Sequence, residues 1–286
     1  MKSLNVKFQI IKKKVDLLGE SPTWNARNSR IYWVDILKRQ FHYINIDNAE
    51  FKTFPALGMI SSIVTTNKDT MAATEGHSLY LIDENGTHLE ISKVEQKINQ
   101  TRFNDGKVDP FGRFVAGTMD IKEKYPIGSL YVFTSRKVKK ILDNITVSNG
   151  MAWDLKNNIF YHIDTPTREI KKYTFNEEMD IELLGTAIDF RKEKGYPDGM
   201  TIDSTGNLWI AHWGGGEISI WEPEKGIKID EIKFPAQNIT SCVFGGESLS
   251  DLFVTSASNE SNSDLGGSLF CVKTEYEGTK TSSFII

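Results

Sequence analysis

Glu20, Asn104, Asn149, Asp198 and Thr240 each place an oxygen-bearing side chain four residues ahead of an apolar residue: Trp24, Val108, Trp153, Ile202 and Phe244 respectively. Taken singly, Asn, Asp or Thr at such a point reads equally well as a side chain bonding its own backbone where a strand begins. Taken as a set they carry chemistry once a fold brings them to one place. Two carboxylates, Glu20 and Asp198, with the amide oxygen of Asn149, then form a site for one hard divalent cation, with the remaining positions left to water. Calcium, zinc, manganese and magnesium all accept such donors, because selectivity among them rests on geometry and availability. Arg102 and Asn104 stand together in Arg102-Phe-Asn-Asp-Gly-Lys107. The planar Arg102 guanidinium suits a polar or anionic ligand, and it suits equally a salt bridge to Asp105 or Asp109.

Convergence of residues so far apart in sequence requires a repeating architecture. Tyr196 to Ala211 supplies the template: an apolar strand, the polar turn Asp203-Ser-Thr-Gly-Asn207, and a second apolar strand, with Asp198 at its mouth. Copies recur with second strands centred on Tyr32, Ala72, Phe114, Tyr161, Trp209 and Phe253, at steps of 40, 42, 47, 48 and 44 residues. Six such units match the period of four-stranded propeller blades. Leu79–Ile82, Ser129–Phe133, Glu169–Tyr173 and Glu217–Trp221, between the copies, are expected to supply the outer strands of each blade. The expectation is an all-β chain forming a single six-bladed β-propeller over residues 1–286, with a metal in its central channel. In this fold the first strand of each unit lines the channel, so equivalent positions meet at one mouth. Closure is expected from Val6–Val15 sharing a blade with Ser268–Val272 and Ser283–Ile286. Helical periodicity is nearly absent; Glu177–Leu184 and Phe190–Lys194 could form at most a turn of helix. Two β-sandwiches are the competing architecture, and they leave the regular spacing unexplained.

Composition removes several function classes. A formal net charge of −4 with scattered Lys and Arg lacks the basic face that nucleic acid requires. No apolar run is long enough for a membrane span, and Lys12–Lys14 reads as a solvated strand end. The beginning of the sequence carries no apolar core of signal-peptide length, and Cys242 and Cys271 lie in apolar strand-like runs as buried thiols. A cytoplasmic setting is expected, with no obligate protein partner evident. Nucleophile-elbow, zinc-helix, phosphate-loop and dinucleotide motifs are all missing. His42, His77, His88, His162 and His212 share no metal-like spacing.

The runs Gly19-Glu-Ser-Pro22, Arg102-Phe-Asn-Asp-Gly-Lys-Val-Asp-Pro110, Gly117-Thr-Met119, Ser148-Asn-Gly150, Tyr196-Pro-Asp-Gly-Met200 and Phe244-Gly-Gly246 together resemble the family of regucalcin, gluconolactonase and luciferin-regenerating enzyme. The resemblance spans nearly the whole chain. It implies metal ligation by Glu20, Asn149 and Asp198, with Asp198 as general base and Arg102 and Asn104 positioning the substrate. Where regucalcin-like members carry a Glu that contacts sugar hydroxyls, this chain has Asp120-Ile-Lys-Glu123, which puts Lys122 at that place, with Asp120 or Glu123 as replacements. The implied activity is metal-dependent hydrolysis of a small-molecule sugar lactone to its aldonic acid. The implied alternative is a non-enzymatic, regucalcin-like calcium-binding regulatory protein. A propeller serving as an interaction scaffold is a third reading.

Overall fold

A computed structural model of the chain describes residues 7–178, 180–259 and 263–286. Its strands form six separate four-stranded antiparallel sheets. Blades one to five are consecutive in sequence, spanning 19–55, 60–93, 101–145, 148–189 and 196–233. Each is ordered from its first strand inward to its last strand outward. Blade six takes three strands from 238–273 and its outermost strand, Phe8–Lys12, from the other end of the chain. That strand pairs antiparallel with Leu269–Lys273. Val6 lies outside the described residues. The expected six-bladed propeller is thus the observed fold, and no edge-to-edge joint between blades is needed to close it.

The apolar residues make six clusters, one at each contact between neighbouring blades. Alternation along the strands explains this: the two faces of each sheet both bury side chains, one against each neighbour. Blades six and one meet where Trp24 stacks on Phe253 with ring centroids 5.8 Å apart. Blades five and six meet around Trp209, whose indole donates to Asp203 Oδ2 at 2.9 Å. The same Asp203 accepts from Thr205 N and Asn207 N through Oδ1, so one carboxylate shapes the hairpin turn and anchors the core tryptophan. Gly206 follows at φ 94°, the left-handed value a tight turn demands.

One expectation changes. Ser283–Ile286 does not join blade six. Phe284 instead forms a parallel bridge with Thr66, and Ile285 N donates to Gly112 O at 2.8 Å. Phe284 is fully buried among Val64, Phe103 and Phe114, at the contact of blades two and three. The apolar tail prefers this slot because a lone edge position on blade six would leave Phe284 in water. Among the described residues helical structure is confined to the 3-10 turn Thr165–Thr167. Residues 177–184 and 190–194, for which at most a turn of helix is expected, are loop and strand, with Leu183–Asp189 forming the outer strand of blade four and Met179 outside the described residues.

Candidate active site

Each innermost strand is interrupted at the same point. Its ladder to the second strand shifts register at Glu20/Thr23, Ile60/Ser62, Phe103/Gly106, Asn149/Met151, Pro197/Met200 and Ile239/Ser241. Such bulges turn side chains out of the pleat and toward the axis. Glu20, Asn104, Asn149, Asp198 and Thr240 all fall at these bulges, which gives the sequence alignment its physical cause, but the Thr240 hydroxyl is bonded to Gly19 O and Thr255 Oγ1 and does not join the others.

Small residues let the bulges crowd together. A Cβ on Gly150 would lie 2.6 Å from Asp198 O, and one on Gly199 would lie 2.2 Å from Ser241 Oγ. Both glycines therefore permit an approach between blades four, five and six that any side chain would block. Glu20, Asn149 and Asp198 are buried, at 8%, 5% and 5% exposure. Burial, reinforced by the Asp105 charge, pushes the Glu20 carboxyl up to about 8. Asp198 is held well above the usual carboxylate range by burial, then by the charges of Glu20 and Asp105, with the Asn149 amide acting in the opposite direction. Asp105 is raised by its own burial. Three carboxyl groups are thus crowded into a dry space that resists their ionisation.

Asn149 shows what would relieve them. Its Nδ2 donates to Thr165 Oγ1 at 3.0 Å, and Thr165 Oγ1 donates its own hydrogen to Pro197 O at 2.9 Å. Thr165 can therefore only accept from Asn149, which fixes the amide with Oδ1 as its other end. That Oδ1 is buried without a hydrogen-bond partner. An orphaned amide oxygen beside crowded carboxylates is the donor set of a hard cation, and it fits one divalent ion.

At the rim, Arg102 Nη1 donates to Phe103 O at 2.8 Å and Asn104 Oδ1 at 3.0 Å, while Asn104 Nδ2 donates to Ser148 O at 2.9 Å. The salt-bridge reading of Arg102 is replaced by this chain of bonds. Asp109 pairs instead with Arg113 at 2.6 Å, and Asp105 accepts from Gly106 N at 2.7 Å. Of the three residues weighed after Met119, Asp120 is spent on its own turn, accepting from Lys122 N, Lys124 N and Tyr125 N. Lys122 is exposed, and its backbone N bonds Asp120 Oδ1 at 3.0 Å. Glu123, at φ 56°, is the one whose charge reaches Arg102 and Asp198. Residue counting could not choose among them, because a left-handed residue reverses the direction a turn presents.

Sequence reasoning passed over Thr165, Asp105 and Lys107. Thr165 follows a second strand where the repeat has no consensus. Asp105 was hidden because a bulge presents two residues where an alignment counts one. Below these residues the channel widens at its other end into a cavity of about 850 Å³, lined in part by Asp105, Lys107, Thr201 and Ser241 and by Thr279–Ser282 of the tail. Elsewhere, Glu193, His212 and Glu217 gather their ligand atoms within 4.8 Å. The Lys228 ammonium already stands 2.9 Å from Glu193 and 2.9 Å from Glu217, so this group holds a cation of the chain's own. His212 is fully buried and bonds Ser219 Oγ at 2.7 Å, as a packed strand residue would.

Fold and site together define a class: six-bladed propellers with buried oxygen-bearing side chains at the bulges of their inner strands. Within it, residues 18–258 match the SMP-30/Gluconolactonase/LRE-like region, and the chain belongs to that family. A Bacillus subtilis (strain 168) protein assigned as a sugar lactone lactonase, YvrE, is 34% identical over 247 residues, covering 85% of each chain. Regucalcin of Danio rerio is 33% identical over 262 residues, covering 88% of this chain and 87% of its own. Among solved structures, luciferin-regenerating enzyme superposes with a TM-score of 0.92 at 27% identity, covering 99% of this chain and 100% of that one. Among the described residues, no helix is long and apolar enough to cross a membrane. Both cysteines are free, and burial pushes each thiol up to about 12.

Proposed function

We propose that the chain hydrolyses a small-molecule sugar lactone of the gluconolactone type to its aldonic acid, with one divalent cation held by Glu20, Asn149 and Asp198. The observation that carries this reading is the partnerless, buried Asn149 Oδ1 beside carboxyl groups that burial and mutual repulsion keep from ionising. Family membership and the lactonase name of the Bacillus relative support the reaction class. A cation at this place supplies a Lewis acid for the lactone carbonyl and lowers the pKa of a nearby water.

The chain's own residues supply the rest. Asp198 accepts the proton of the attacking water, help worth about 10² to 10⁴-fold. Arg102 commits Nη1 to Phe103 O and Asn104, which holds its plane and leaves its other donors for ring and hydroxyl oxygens. Asn104 is itself locked between Arg102 and Ser148 O, so it offers its remaining N–H in a fixed direction. Glu123, whose charge acts on Arg102 and Asp198, serves as the acceptor for substrate hydroxyls. No covalent nucleophile is required for an activated ester, and the thiols of buried Cys242 and half-buried Cys271, both pushed up to about 12, are unsuited to that role.

A panel of aldonolactones assayed by acid release, each with calcium, magnesium, manganese and zinc, tests the proposal. Turnover above the spontaneous rate with at least one pair supports it. Tight calcium binding with no turnover of any lactone supports the regucalcin-like alternative instead, which the same oxygen donors would serve.

A further inference from the structure

Lys107 is a lysine of the channel that the proposed reaction does not use, its ammonium disfavoured by burial and favoured by the charge of Asp105. It lies near the end of the inner strand of blade three, and its Nζ reaches across the channel to donate to Met200 O of blade five at 2.6 Å. Met200 stands two residues beyond Asp198 in the same strand. The ammonium is also the nearest countercharge of Asp105, and both side chains line the lower cavity.

The charges around it leave a definite remainder. At the rim, the Arg102 guanidinium acts on both Glu123 and Glu20, and in the sum of charge the Glu123 carboxylate offsets it. Below them stand three carboxylates, Glu20, Asp105 and Asp198, each within electrostatic reach of the others. Against the three stands a single ammonium, that of Lys107. With all three ionised, two negative charges stay uncompensated, which is the charge a divalent cation brings. Without the ammonium the remainder is three. A buried pocket strongly resists uncompensated charge of either sign.

We propose that Lys107 is a fixed internal cation that sets the valence of the ion the channel accepts, holding the site to divalent rather than trivalent ions. This rests on the cation site of the proposed function and adds to it the residue that tunes its charge. The competing account makes Lys107 a mechanical tie between blades three and five. The two differ in sign. Removing a positive charge strengthens the binding of every cation, and strengthens a trivalent ion by one further unit of charge–charge interaction. Removing a tie loosens the strand that carries Asp198 and weakens every cation alike.

The experiment is calorimetric titration of the full-length, chelator-stripped protein with calcium and, separately, with lanthanum, for wild type, Lys107→Met, Lys107→Arg and Asp105→Asn. Thermal unfolding of each variant checks that it is folded. Lys107→Met should bind calcium more tightly than wild type and raise the lanthanum-to-calcium affinity ratio on the order of 10-fold. Lys107→Arg should keep the wild-type ratio, and Asp105→Asn should lower it by a similar factor. Should Lys107→Met fail to fold, Asp105→Asn and Lys107→Arg still decide. An unchanged ratio in Asp105→Asn, or proportionate weakening of both ions in Lys107→Met, overturns the proposal. Failure of the underlying site looks different: wild type then binds neither ion.

Discussion

The hydroxyl of Thr165 decides which end of the Asn149 amide is left unpartnered, because its only hydrogen goes to Pro197 O. Thr165→Val removes that constraint while keeping the shape, so the amide can turn and present Nδ2 instead of Oδ1. Residues that orient a ligand are worth about 10- to 100-fold in metal affinity. Titration of the stripped Thr165→Val protein should show a loss of that size, with Asn149→Ala losing more. Affinity equal to wild type would mean that Asn149 Oδ1 is not a ligand. The rim makes a separate prediction. Glu123→Gln should raise KM for a lactone by about 10-fold, the scale of a hydrogen bond to a charged group, and should weaken the cation less than Asp105→Asn does, since the Glu123 charge acts on Asp198 from the rim. Lys122→Ala should leave both constants as they are, since its backbone alone takes part in the Asp120 turn.

At the scale of the strand, the bulge is the unit of function. It was legible only indirectly, as a polar residue four places before an apolar one. The inner, second and third strands could be read because they are buried on both faces, as in Ile159–Asp164 and Leu208–Trp213. Of the outermost strands, that of blade six, Phe8–Lys12, was read from the sequence, and those of the other blades were not. Val138–Ile145 and Ile227–Lys233 carry lysines and acids along a half-exposed edge, where protection from pairing matters more than burial. Inside blade four, His162 is buried, bonds Ser148 Oγ at 2.9 Å, and is lowered to about 3 by burial and then by the Lys171 charge. The unfolded chain takes up a proton on this residue near pH 6.5, and the folded chain does so only near pH 3. Stability is therefore complete above the unfolded value and is lost as the pH falls between the two. Thermal unfolding of the stripped protein from pH 7 to pH 4 should show a decline that His162→Gln flattens, by an amount on the order of a few kcal/mol. A variant curve parallel to wild type would remove His162 as the cause.

Across the whole molecule the chain is fastened twice. Phe8–Lys12 completes blade six, and the tail then crosses the lower mouth from Gly278, whose N bonds Leu249 O at 2.8 Å, to Phe284, whose N bonds Thr65 O at 2.8 Å. The second fastening was not legible, because Ser283-Phe-Ile-Ile286 reads as a strand and nothing in a sequence says which slot an apolar residue will fill. Phe284→Ala leaves a cavity between blades two and three, a loss of about 3 to 5 kcal/mol. A clear fall in Tm follows, without loss of lactone specificity. Unchanged Tm would show that the tail contributes nothing to closure. The central claim is that cation and carboxylate act together on a lactone, and one measurement reaches it directly. Acid release from gluconolactone is followed after chelation and after re-addition of a divalent ion, for wild type and Asp198→Asn, with the spontaneous rate subtracted. Chelation should lower the wild-type rate by about 10²-fold or more, and the ion should restore it for wild type alone. Full activity in the presence of chelator, or in Asp198→Asn, would contradict the account.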